Sequence, residues 1–114
     1  MEVLREIEIA AGPDEVWRAL TESEQLEEWF ANEVELDVRP GGRGIFRWEN
    51  GETRVAEVER VDEGSRIVLR FEDDGVVDLR VLPADGGSVV QVRETAASWS
   101  TALELRALAT CATR

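Results

Sequence analysis

The stretch REIEIAAGPDEVWRALTESEQLEEWF, Arg5 to Phe30, changes its hydrophobic period partway along. Over VLREIEI, Val3, Arg5, Ile7 and Ile9 fall on one side and Leu4, Glu6 and Glu8 on the other. This is the alternation of a strand with one half-buried face. AAGPDEVWRAL ends it. Pro13 suits a first helical turn, Asp14 and Glu15 stand where a helix dipole favours negative charge, and Val16, Trp17 and Leu20 form an apolar stripe. Thr21 followed by Glu24 reads as a capping box that opens a second short helix, with Leu26, Trp29 and Phe30 as its apolar side. A purely solvated acidic helix has no use for such aromatics, so both helices are expected to face inward.

Beyond residue 34 the texture is different. Turn signals recur at Pro40–Gly42, Asn50–Gly51, Asp62–Gly64, Asp73–Gly75 and Ala84–Gly87. That is the rhythm of an antiparallel meander. Between them VELDV, RGIFRW, ETRVAEVERV, SRIVLRF, VVDLRVL and SVVQVRE read as strands. Val55, Val58 and Val61 are spaced by three, which predicts a bulge or twist in that strand. The tail SWSTALELRALATCATR lacks Gly and Pro and predicts a long helix capped by Ser98, with Trp99, Ala102, Leu103, Leu105 and Leu108 on its apolar face. A mostly antiparallel sheet covered on one face by that helix is an α+β domain, and residues 1–114 form a single one.

Composition excludes several functions. The net charge of −12, from 25 acidic and 13 basic residues, opposes nucleic acid and anionic membrane surfaces as partners. Arg39 and Arg43 read as solvated turn residues. No apolar run is long enough to span a membrane, and the charged MEVLREIEI has no signal-peptide core. The chain has no His, Tyr or Lys, which removes the commonest bases, a Schiff-base amine and the imidazole metal ligand. No cofactor or metal is expected. Cys111 is alone and reads as a small apolar helix residue, compatible with a reducing cytoplasm.

REIEIAAGPDEVWRALTESEQLEEWF, RPGGRGIFRW, SRIVLRFE and SWSTALELRAL, in that order, resemble the Hsp90-ATPase-activator-homologue-like family of the SRPBCC (START, polyketide-cyclase and Bet v 1-like) superfamily. The resemblance implies a helix-grip fold: a curved seven-stranded antiparallel sheet around the C-terminal helix, with a cavity between them. It implies a binder of apolar molecules, with cyclase-like enzymes and a chaperone-stimulating namesake among the relatives. Gly12 stands where the family usually has Pro, Gly44 replaces a common aromatic, and the segment from Thr95 to Ser98 is short.

The expected function is a small cytoplasmic binding protein, monomeric or homodimeric, for an apolar or amphipathic molecule held between sheet and helix. Two alternatives stay open: a cyclase- or dehydratase-like enzyme relying on the carboxylate of Glu94, and a co-chaperone-like interaction module. The absent residue types count against the enzyme. Candidate cavity residues are Trp17, Trp29, Phe46, Trp48, Arg54, Leu69, Phe71, Leu79, Val92, Glu94, Trp99 and Leu103. The apolar ones line a pocket or simply fill a core. Alternation places Arg54 and Glu94 on the apolar face, where they pair with each other, orient a ligand, or reach water at strand ends. A dry pocket of about 300 Å³ would cost on the order of 7 kcal/mol, at about 24 cal/mol per Å³. An apolar cavity here is therefore filled, wetted or collapsed.

Overall fold

The computed structural model describes residues 2–72, 75–95 and 105–113. The chain leaves its first strand, β1 (Val3–Ile9), for two helices, α1 (Pro13–Thr21) and α2 (Ser23–Trp29). Pro13, Asp14 and Glu15 occupy the first turn of α1, as the dipole and the missing proline N–H favour. The capping box does not form. Glu22 is the N-cap of α2, with no side-chain cap bond. Thr21 Oγ1 donates instead to the Trp17 carbonyl at 2.7 Å. The reason is spacing: Glu22 alone separates the helices, so Thr21 still belongs to the last turn of α1 and bonds back into it.

Six more strands follow: β2 (Glu33–Leu36), β3 (Arg43–Arg47), β4 (Thr53–Asp62), β5 (Arg66–Phe71), β6 (Val76–Ala84) and β7 (Gly87–Glu94). With β1 they form one seven-stranded sheet in the order β1-β7-β6-β5-β4-β3-β2. All its pairings are antiparallel. Four of the expected turns contain a glycine at positive φ: Gly41, Gly51, Gly64 and Gly86. The register of β4 against β5 shifts between Val58 and Arg60. That bulge explains the spacing by three, because it lets Val58 face Leu69 and Val61 face Ile67 on one side of the sheet. At Gly87 a Cβ would collide with the Ile9 carbonyl, so only glycine lets β7 begin so close to the end of β1. Next to it, Ser88 Oγ donates to the Ala11 carbonyl at 2.7 Å and ties the approach to α1 to the sheet.

One face of the sheet is the core wall, carrying Ile9, Phe46, Val58, Ile67, Val81, Val90 and Val92. Helix α1 packs against β6 and β7, and α2 against β2. The closing helix α3 (Leu105–Ala112) packs against α1, α2 and β1, with Leu108 and Cys111 buried. The expected start of that helix, with Ser98, Trp99 and Leu103, lies outside the described residues. No helix among the described residues is long and apolar enough to cross a membrane.

Candidate functional site: an apolar hollow and a buried ion pair

Leu20 of α1, Leu26 and Trp29 of α2, the adjoining Phe30, Leu36 of β2, Phe46 of β3, Leu69 and Phe71 of β5, and Val77 and Leu79 of β6 converge on one hollow. All are apolar. Its volume is about 20 Å³, room for roughly one water and far below the several hundred Å³ of a ligand pocket. This hollow is therefore collapsed rather than held open.

Aromatic rings do the closing. Phe30 meets Phe46 and Trp48 edge-on, each with centroids 5.3 Å apart, and lies 5.5 Å from Trp29. Phe46 in turn lies 5.9 Å from Phe71. These are favoured offset and edge geometries. Both indole N–H groups are satisfied inside the protein: Trp29 Nε1 donates to the Ala19 carbonyl and Trp48 Nε1 to the Phe30 carbonyl, each at 2.8 Å. Helix α2 buries little of itself, since Leu26 is its one buried residue. The Val34 N–H donates to Glu27 Oε2 at 2.9 Å and joins α2 to β2.

The charged candidates do not pair with each other. Glu94 is fully buried and accepts from Arg5 Nη2 at 2.5 Å. Arg54 Nε donates to Glu52 Oε1 at 2.7 Å, near solvent. Register explains this. Glu94, Val77, Leu69 and Val58 lie across from one another on successive strands, and Arg54 is four residues back from Val58. Arg5, on neighbouring β1 beside Val92, is the cation within reach.

Of the expected residues, Trp29, Phe46, Leu69, Phe71 and Leu79 line the hollow, and Trp48 abuts it through Phe30. Trp17 and Val92 are buried in the core away from its lining. Trp99 and Leu103 fall outside the described residues. Leu20, Leu26, Phe30, Leu36, Val77 and Arg5 were not among the candidate cavity residues. The helical stripes and the strand parity of Val77 and Arg5 carried the signal for all but Leu36.

On the opposite face, Asp78 is buried and takes two hydrogen bonds from Arg66, at 3.0 and 2.8 Å, with Arg80 at 3.5 Å. Burial works against its ionised form, but the Arg66 hydrogen bonds and charge, helped by Arg80, outweigh it and hold the carboxyl below its ordinary value. Cys111 Sγ lies 3.4 Å from Glu28 Oε2.

A curved antiparallel sheet, two short helices and a closing helix around an apolar interior define a helix-grip-like α+β domain. Residues 10–110 match the model of the family described as Activator of Hsp90 ATPase homolog 1-like protein, and the chain belongs to that family, within the SRPBCC superfamily. Solved structures agree on the fold. Protein MLL2253 from Mesorhizobium loti superposes with a TM-score of 0.86 at 18% identity, covering 100% of this chain and 98% of its own. An AHSA1-like protein from Aeromonas hydrophila gives 0.77 at 20% identity, over 99% and 87%. DynU16, from the dynemicin biosynthetic locus, gives 0.83 at 18% identity, over 96% of this chain and 46% of that one. No curated protein matches the chain by sequence.

Proposed function

We propose that this protein binds an apolar or amphipathic small molecule in the hollow, which opens when the Trp29–Phe30 end of α2 is displaced. The observation that carries this reading is the hollow's construction. Its walls are wholly apolar and come from six elements, and one of these, α2, is a seven-residue helix with a single buried residue. Collapse without ligand is what the energetics favour, because an empty pocket of about 300 Å³ would cost on the order of 7 kcal/mol. A ligand entering there exchanges one set of apolar contacts for another. Family membership supports the class, since the superfamily comprises ligand-binding and cyclase-like proteins. DynU16 adds a relative of the same fold from a biosynthetic locus.

The test is titration with 2-methylnaphthalene, followed by the fluorescence of Trp29 and Trp48, which line or adjoin the hollow. Wild type is expected to respond saturably. Val77→Phe, which fills the hollow at an overpacking cost of about 1–3 kcal/mol, is expected to stay folded and not respond. No saturable response in wild type, or an unchanged one in Val77→Phe, refutes the reading.

A further inference from the structure

The hollow is apolar, but its neighbour on the same face of the sheet is not. Glu94 is fully buried, and although Arg5 Nη2 donates to Oε1, Glu94 Oε2 and Arg5 Nε are both buried without a hydrogen-bond partner. An unmet acceptor and an unmet N–H donor thus belong to one ion pair. Buried polar groups left in this state are costly and uncommon, so each calls for a physical explanation, and a group that completes it from outside the chain is one. The pair also stands beside the hollow. Glu94 lies opposite Val77, a wall residue, and Arg5 lies opposite Val92, whose other neighbour is the wall residue Leu79.

The two open atoms specify a chemistry. The missing group must donate one hydrogen to Oε2 and accept one from Nε–H. An ammonium donates but cannot accept. A carboxylate accepts but sets a second negative charge against Glu94, and a ketone or ether accepts only. A hydroxyl does both. We propose that the Arg5–Glu94 pair holds the hydroxyl of an amphipathic ligand, an alcohol or phenol, whose apolar body occupies the hollow. This rests on the ligand-binding function proposed above. It adds what that function leaves open: the polar group of the ligand and the two residues that select it. Both residues are positioned by strands β1 and β7, so the anchor is in place before the ligand arrives.

The experiment compares two probes of matched shape, 2-naphthol and 2-methylnaphthalene, by calorimetric titration. Wild type is expected to bind the naphthol at least about tenfold more tightly, because a site built for a hydroxyl leaves its own polar atoms unpaired with the analogue. Arg5→Met/Glu94→Leu, which replaces the whole pair with apolar groups, is expected to lose that preference while keeping affinity for 2-methylnaphthalene. Equal wild-type affinities, as a pair that merely holds a water would give, overturn the anchor and leave the hollow standing. A preference that survives in the double variant does the same. Wild type that binds neither probe overturns both proposals. The wild-type comparison decides alone should the double variant fail to fold.

Discussion

Replacing Phe46 by Ala removes the ring at the centre of the closed hollow. Phe46 is 1% exposed, and its ring meets Phe30 at 5.3 Å and Phe71 at 5.9 Å. Truncating a buried Phe costs about 3–5 kcal/mol. The two ring pairs, each worth about 0.5–1.5 kcal/mol beyond buried area, place this site in the upper half of that range, near 4–5 kcal/mol. A domain of this length has a stability of roughly 6–17 kcal/mol, so the loss is large yet measurable. Urea unfolding followed by circular dichroism, extrapolated linearly to water, gives the difference. The truncation also enlarges the existing space of about 20 Å³, so benzene is expected to restore part of the loss. Benzene at a hundred times its dissociation constant would return about 2.7 kcal/mol. A loss below about 1.5 kcal/mol would show that Phe46 is not packed as described. A full loss with no benzene rescue would show that the walls fall in around the gap rather than holding a ligand-shaped space.

Two further perturbations probe the charges. Arg5→Met leaves Glu94 buried without its cation and is expected to cost about 3–5 kcal/mol, whereas Arg5→Met/Glu94→Leu costs less than the single change. A double-mutant cycle in urea checks this, and a double variant as unstable as the single one contradicts it. Asp78 is held below its ordinary value by Arg66 and Arg80 against the opposing effect of burial. The stability it contributes is therefore complete above its unfolded pKa of about 3.9, and is lost as pH falls through the lower folded value. The stability difference between wild type and Asp78→Asn should stay level above about pH 5 and narrow below about pH 4. A difference that stays constant from pH 6 to pH 3 refutes the assignment.

Residue parity made the sheet legible. Alternation identified the inward side of β1, β3, β5, β6 and β7, and the one broken pattern, Val55, Val58 and Val61, marked the bulge between Val58 and Arg60. Parity also placed Arg54 and Glu94 on the apolar face. It could not choose their partners, because that depends on strand order. Closing the sheet with β1 beside β7 joins Arg5 to Glu94 across 89 positions, and Glu52 is already within reach of Arg54. The capping box failed for a related reason. Thr21 and Glu24 have the right spacing, but that pattern does not say where one helix stops, and a one-residue junction left Thr21 inside α1. Volume is the least legible quantity, since a pocket and a core use the same residues and differ only in how far their walls approach.

On the ligand-binding function proposed above, the collapsed hollow sets the form that recognition takes. The outward side of α2 and its junction carries Glu22, Glu24, Glu27 and Glu28, while its inward side closes on the sheet through Leu26, Trp29 and Phe30. Closure and ligand therefore compete for the same apolar wall. If opening costs about 2 kcal/mol, the competent state is populated to a few per cent, and apparent affinity falls about thirtyfold from the intrinsic value. Apolar contact recovers little of that loss, because the displaced rings made the same kind of contact. Hydrogen bonds to atoms left unmet in the closed state are different, since they exist only when the ligand is bound. Glu94 Oε2 and Arg5 Nε are such atoms, and they sit on paired strands rather than on the helix that would move. In a pocket that closes when empty, selectivity has to come from groups that closure cannot satisfy.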